Sequence, residues 1–374
     1  MMRMLIAGVT MAVACGTVLG EDVATVSKPK PVVDVVFVLD TTGSMSGLIA
    51  GAKAKIWSIA NQILSGKPTP RVRFGLIGYR DKGDAYVTKR FDLTTDIDAI
   101  YEELMKFQAG GGGDTPEHVN RALAEAVEKM TWTGEKKALK IIFLVGDAPP
   151  HMDYKDGHDY KKSAKQAITN GIVINTVRCG GNTATATVWQ EIADMAEGTF
   201  VSIDQSGGMQ VVKTPYDAEL AKLSGDLGRT AVYYGDAKKR EEAGRRHAAV
   251  GGMLAKPEAA PAAADRAEYK AKDGRLSESD LLDAIHDRKL DLDKIEENKL
   301  PEKLRKMTKE QRKAYLDDLA KKRAEIRAKI KDLSAKRQAF IKAETKKTAG
   351  KGDAFDEKVL DMLRKQAEKK GIKY

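Results

Sequence analysis

The sequence predicts an α/β fold: a doubly wound, mostly parallel six-stranded sheet flanked by helices, followed by a charged α-helical C-terminal region. Three observations predict it. Apolar, β-branched runs alternate with amphipathic stretches through residues 32–206, the pattern of strand–helix units laid around a parallel sheet. Apolar residues make up 42% of the 374-residue chain, enough for one good core, and charged residues make up 32%, which points to a solvated helical part beside it. The charge is also uneven: residues 231–374 carry 38 basic and 27 acidic side chains, so the formal +10 of the chain resides there.

Residues 1–20 read as an export signal. Arg3 supplies a basic start, the apolar run Leu5–Ala14 a signal core too short to span a bilayer, and "VLG" before Glu21 a cleavage site. A second reading is open at "AVAC", Ala12–Cys15, which resembles a lipoprotein box with Cys15 acylated. Either route implies a periplasmic, surface or secreted protein, and no later segment reads as a membrane span. The only other cysteine is Cys179; with Cys15 removed or acylated, no intramolecular disulfide can form and packing alone must hold the fold. Cys179 reads as a small buried residue, not a nucleophile.

Residues 21–31 form a spacer. "VVDVVFVL" is then a buried strand, and Leu48–Leu64 places apolar residues at helical spacing. "RVRFGLIGY" and "YVTKRFDL" make a hairpin across a polar loop, and a helix runs from Thr95 or Asp96 to Phe107. After Gly110–Gly113, Pro116 suits the first turn of a helix reaching Met130, with Asp114 or Thr115 as cap. "LKIIFLVGD", "GIVINTV" and "TFVSI" complete the strands, with helices between them. Residues 207–250 are a helical extension, 251–267 an Ala/Pro-rich linker and 268–374 a charged helical region. In that last region Thr308–Gln311 has the form of a capping box. Leu316, Leu319, Arg323, Ile326, Ile330, Leu333, Arg337 and Phe340 then mark a heptad stripe. The stripe admits a helical hairpin within the chain or a coiled coil and self-association between chains.

Parallel sheets bind ligands beyond the carboxyl ends of their strands. Three such ends converge: Asp40, Thr42 and Ser44 in "DTTGS", Asp114 and Thr115 after the glycines, and Asp147 after "IIFLVG". The inventory is oxygen only, which suits Mg²⁺ or Mn²⁺ better than zinc. Hydroxyl ligands leave the ion's charge uncancelled, so a position stays attractive to an incoming carboxylate.

These residues resemble the von Willebrand factor type A (VWA) domain. "DTTGS" matches that family's Asp-x-Ser/Thr-x-Ser motif, Thr115 in "GGGGDTPE" its loop threonine, and Asp147 its later aspartate. All five positions of a metal ion-dependent adhesion site are present. "YRD", "LTTDID" and "GGGDTPE" further resemble the subgroup attached to atypical protein kinases, though no kinase motif is present. The resemblance implies a Rossmann-like sheet, Mg²⁺ or Mn²⁺ as the cofactor, and a protein partner that presents Asp or Glu as the ion's last ligand. It also implies that the last helix of the domain shifts when that ligand binds.

Rival readings account for less. A helix cap explains one hydroxyl but not Thr115 and Asp147. A phosphate loop lacks Gly-Lys-Ser/Thr and would meet Asp114 and Glu117. An aspartyl-phosphate hydrolase using Asp40 lacks a second aspartate where Thr42 stands. "HMDYKDGHD", His151–Asp159, reads as a polar rim beside Asp147 because its spacing puts no ligand set on one helix face. His118 reads as a helix-surface residue, and Trp57, Trp132 and Trp189 as packing residues. No hydrolase triad appears, so no enzyme activity is expected. No nucleic-acid partner is expected either; the basic tail allows contact with anionic surfaces or a purely structural, assembly role.

Overall fold

The computed structural model describes residues 30–273, 275–287, 289–347 and 355–374; the export segment and Cys15 lie outside them. The central strand β1 (Val32–Asp40) is buried along its whole length. Its side chains alternate: Val33, Val35, Phe37 and Leu39 enter one core, Val36 and Val38 the other. This two-sided burial is why its sequence is an almost unbroken apolar run.

The remaining strands are β2 (Arg71–Tyr79), β3 (Thr88–Thr94), β4 (Leu139–Gly146), β5 (Ile172–Cys179) and β6 (Phe200–Ile203). They lie in the order β3-β2-β1-β4-β5-β6, parallel except for the antiparallel edge strand β3. Register sets the later chemistry. Asp40 pairs with Tyr79 on β2, and Leu39 with Val145 on β4. The residues just after β1, β2 and β4 therefore emerge side by side at one end of the sheet.

Helices α3 (Val119–Glu128), α4 (Tyr160–Thr169) and α5 (Thr183–Met195) cover one face with Trp189 at its centre. The other face takes α1 (Ser46–Ile63), α2 (Ile97–Lys106), α7 (Ala237–Leu254), α8 (Ala260–Asp273) and α12 (Phe355–Glu368) around Trp57. Between them in sequence lie α6 (Asp217–Gly228), α9 (Leu281–His286), α10 (Glu302–Arg305) and α11 (Lys309–Lys347). Among the described residues no helix is long and apolar enough to cross a membrane.

Three expectations need correction, and one open choice, the third below, is resolved. Residues 251–267 are no linker: Pro257–Ala259 form a 3₁₀ turn, and α8 follows, with Ala262, Ala263, Ala264 and Ala267 buried. Alanine is the best helix former, Pro261 sits in the first turn where its missing N–H is harmless, and small side chains allow close packing. Asn61 on α1 donates to the Asp265 carbonyl at 2.7 Å, fixing that contact.

Second, the charged C-terminal region does not stand apart. Phe355, Val359, Leu360 and Leu363 on α12 are buried in the Trp57-side core. Gln366 and Asn175 on β5 exchange amide hydrogen bonds of 2.7 and 3.0 Å, and Lys67 and Lys373 pair through their backbones at 2.8 and 3.0 Å. Burying each large apolar side chain contributes about 1.5–3 kcal/mol, so α12 is part of the sheet's cover.

Third, the heptad face of α11 turns inward on its own chain. Ile330 packs with Leu220, Leu223 and Leu227, and Leu316 with Val232, Leu281 and Leu304. The arginines at seam positions meet carboxylates: Arg323 reaches Asp280 and Asp283, both at 2.7 Å, and Arg337 reaches Asp217 at 2.7 Å and Asp265 at 2.6 Å. Of the two arrangements that the stripe admits, packing within the chain is the one seen here. The capping box forms as expected, Thr308 N–H donating to Gln311 Oε1 at 2.9 Å.

Fourth, α3 starts at Val119, not near Pro116. Glu117 is instead pinned beside the exit of β4, its N–H donating to Pro149 O at 2.9 Å and its own carbonyl accepting from His151 N–H at 3.1 Å. That pairing carries the chain past the metal-type motif before the helix begins. His118 is consequently buried rather than on a helix surface, its Nε2 2.9 Å from Asp156.

Candidate metal centre

β1 ends at Asp40, whose side chain is fully buried. Its Oδ1 accepts from Thr42 N–H at 2.8 Å and Thr42 Oγ1–H at 2.6 Å, while its Oδ2 is buried without a hydrogen-bond partner. Burial pushes this carboxyl up to about 7, against the two Thr42 hydrogen bonds; the Asp147 carboxylate adds to the rise.

Thr42 Oγ1 and Ser44 Oγ lie 3.4 Å apart. Residues 43–45 make a 3₁₀ turn leading into α1, and neither Thr42 nor Met45, the residues at the two N-cap positions, makes a side-chain capping bond. The hydroxyl of Thr42 serves Asp40 instead of the helix.

The glycine loop lies against this turn. Gly43 N–H donates to Gly111 O at 3.4 Å and Gly110 N–H to Thr41 O at 3.2 Å. Gly111 and Gly112 have φ of 80° and 88°, and a Cβ at Gly111 would stand 2.2 Å from Asp84 Oδ1. Only glycine fits both the backbone and the space. Asp84 clamps the loop by accepting from Gly112 N–H at 3.2 Å.

Thr42, Ser44, Thr115 and Asp147 line one open cleft, joined by Glu117 and Gln205. Thr115 is exposed and Asp147 half-buried. Asp40 lies behind Thr42. The structure thus brings together the ends of β1 and β4, which the sequence separates by about a hundred residues, and the glycine loop, which joins α2 to α3 rather than following a strand as expected.

Two residues of the cleft lacked a role in the sequence reading. Glu117 is 3% exposed, its Oε2 is buried without a partner, and burial together with the carboxylates of Asp40, Asp81, Asp84 and Asp147 pushes it up to about 9. Its place two residues after Thr115 was the available signal. Gln205, after β6, donates to Asp147 Oδ2 at 2.7 Å and holds that carboxylate in place; no motif marks it.

Burial also outweighs the charge of Arg80, which lowers the Asp40 carboxyl pKa but makes no bond to it. Arg80 donates to the carbonyls of Thr41 at 3.0 Å and Gln108 at 2.6 Å, so it braces the loops. Unpartnered carboxylate oxygens, neutral hydroxyls and no bonded cation make a donor set that fits a hard divalent ion. Cys179, fully buried, has its thiol pushed well up by burial and supplies no thiolate.

Residues 34–215 match the family described as von Willebrand factor A domain. Von Willebrand factor A domain-containing protein 7 of Rattus norvegicus is 35% identical over 120 residues, 32% of this chain and 12% of that protein. Alpha-protein kinase vwkA of Dictyostelium discoideum is 26% identical over 129 residues, 32% of this chain and 19% of that protein. This chain therefore spans only a small part of the curated relatives it matches. Among solved structures, proximal thread matrix protein 1 of the mussel byssus, in a form with a zinc-occupied MIDAS motif, is 16% identical over 46% of this chain and 42% of that one, with a TM-score of 0.37.

Proposed function

We propose that the von Willebrand factor A domain of this chain is a divalent-cation-dependent protein-binding module that ligates an acidic side chain of a partner. Asp40, Thr42, Ser44, Thr115 and Asp147 would hold Mg²⁺ or Mn²⁺, with Glu117 beside them. The observation that carries this reading is Asp40, fully buried with Oδ2 unpartnered and Oδ1 held by Thr42, whose hydroxyl stands beside that of Ser44 on the wall of an open cleft. An ion held there supplies an electrophilic position for a carboxylate from outside.

The chain's own groups perform the remaining work. Thr42 fixes Asp40 through two hydrogen bonds, Gln205 orients Asp147, and Asp84 holds the glycine loop that carries Thr115. No nucleophilic role is assigned to Asp40: its carboxylate has no solvent-exposed surface from which to attack a substrate. The helical tail serves as a packed support for the domain, consistent with its intramolecular seam. Export through residues 1–20, with or without acylation of Cys15, completes the reading; mass spectrometry of the mature amino terminus decides between the two routes.

Isothermal titration tests the site. Mg²⁺ or Mn²⁺ added to the full chain gives a saturable isotherm that Asp40→Asn abolishes. Equal heats in both proteins would contradict the reading, and phosphatase activity lost in the same variant would favour a hydrolase.

A further inference from the structure

Three loops around the cleft meet at a second point. Asp81 follows β2, Asp114 precedes Thr115 on the glycine loop, and His151 lies four residues beyond Asp147. One oxygen from each carboxylate and one imidazole nitrogen all lie within 4.8 Å of one another. His151 Nε2 is 3.4 Å from Asp81 Oδ2 and 3.4 Å from Asp114 Oδ2, yet it makes no hydrogen bond with either. Asp81 Oδ1 is also buried without a partner. Both side chains are more than nine-tenths buried, His151 at 8% and Asp81 at 6% exposure.

The surroundings hold these groups in one orientation. His151 Nδ1 lies 2.8 Å from Asp153 Oδ1, a bond that in the neutral ring places the proton on Nδ1 and turns the Nε2 lone pair toward the two carboxylates. Tyr154 stacks on the His151 ring at 4.2 Å and donates to Asp81 Oδ2 at 2.6 Å, so one side chain positions two members of the cluster. The nearby Lys82 is engaged elsewhere, over the Tyr154 ring and with Asp156 at 3.0 Å. A carboxylate on the far nitrogen of an imidazole is the usual support of a metal-ligating histidine.

We propose that Asp81, Asp114 and His151 form a second divalent-cation site, for a borderline metal of the zinc class, separate from the oxygen-only centre beside it. Ligands about 2.0–2.1 Å from a tetrahedral ion stand about 3.4 Å from one another, which is the spacing of His151 Nε2 from both carboxylates. Imidazole nitrogen with two carboxylates selects zinc-like ions over magnesium. Because Asp114 and Thr115 are adjacent, an ion here ties the glycine loop to the exits of β2 and β4. Local spacing in "HMDYKDGHD" could not show this, since two of the three ligands come from other loops.

The test uses Co²⁺ as a spectroscopic substitute for Zn²⁺, on the full chain carrying Asp40→Asn so that the neighbouring centre is disabled. The expected result is one saturable equivalent of Co²⁺ with visible d–d bands, displaced by Zn²⁺ and lacking any thiolate band. His151→Gln abolishes the bands, and Asp153→Asn weakens binding by about tenfold. Asp114→Asn should also abolish them; its side chain is 62% exposed, so this variant leaves the core intact. No Co²⁺ bound in the Asp40→Asn protein, or binding unchanged by both Asp114→Asn and His151→Gln, would overturn the proposal. Either result is independent of whether Mg²⁺ binds at Asp40.

Discussion

The loop end of the sheet and the helical layer behind it bury the same chemical group in opposite ways. In the helical layer, carboxylates meet cations of the chain itself. Asp98 receives Arg266 at 2.7 and 2.9 Å and Lys270 at 3.0 Å; burial raises its pKa, but these partners reverse that and hold it well below the usual range. Asp265, shared with Arg337, stays raised to about 6 because burial outweighs one guanidinium. At the loop end, Asp40 and Glu117 have no bonded cation and rise to about 7 and about 9, mainly through burial. β1 carries both solutions: Asp34 takes Arg73 through hydrogen bonds of 2.8 and 2.5 Å, whereas Asp40, six residues on, has none. A chain with a net charge of +10 has cations to spare. The absence of a bonded cation at Asp40 and Glu117 is a physical argument that the missing charge arrives from solution.

The comparison breaks most visibly if the helical layer is removed. Deleting residues 355–374 removes Phe355, Val359, Leu360 and Leu363 from the core, uncovers Phe37, whose ring lies 6.3 Å from that of Phe355, and strips the Gln366–Asn175 pair from β5. The expected outcome is loss of a cooperative thermal transition together with dye binding to exposed apolar surface. A truncated protein that melts like the full chain would show that the domain closes without α12.

Next in size is Arg323→Ala. It leaves Asp280 and Asp283 buried with their shared guanidinium gone, and Thr230 O loses a donor at 2.7 Å. Breaking such a buried network costs about 3–5 kcal/mol, read as a lower urea midpoint at unchanged slope. A cost below about 1 kcal/mol would mean that these pairs are wet and resemble surface ion pairs.

A smaller effect follows from pH. Asp40 is raised to about 7 from 3.8, so unfolding lets it ionise earlier. Its contribution to stability is full below about pH 4 and is lost as pH rises through 7; Glu117 extends the loss toward 9. In chelator, melts at pH 8 should fall below those at pH 5 by something on the order of 2–3 kcal/mol from Asp40. Asp40→Asn should flatten that part, and Mg²⁺ should stabilise the wild type more at pH 8 than at pH 5. The same slope in both proteins would remove Asp40 from the account.

What was legible in the sequence follows from how local each signal is. The strands could be read because double-sided burial writes uninterrupted Val, Ile and Leu into one segment, as in Val32–Leu39. Asp40, Thr42 and Ser44 could be read because they are contiguous. α8 is hidden in the sequence because Ala and Pro mark an extended spacer as readily as alanine marks a closely packed helix. The α11 stripe revealed a buried face but not its partner, since a heptad period is the same whether the neighbour is Leu220 of this chain or another molecule. Gln205 and the His151 cluster are not legible in the sequence because their meaning lies in which loops meet, and the register of β1 between β2 and β4 sets that.

The central claim is that a divalent ion takes the place of the protons that burial favours on Asp40 and Glu117. Mg²⁺ titration calorimetry at pH 7, in two buffers of different ionisation enthalpy, counts those protons directly. With Asp40 near half-protonation at pH 7, about half a proton should leave per Mg²⁺ bound, and more if the ion also ionises Glu117; Asp40→Asn should show neither binding nor release. Saturable binding with identical heats in both buffers, and so no proton released, would contradict it.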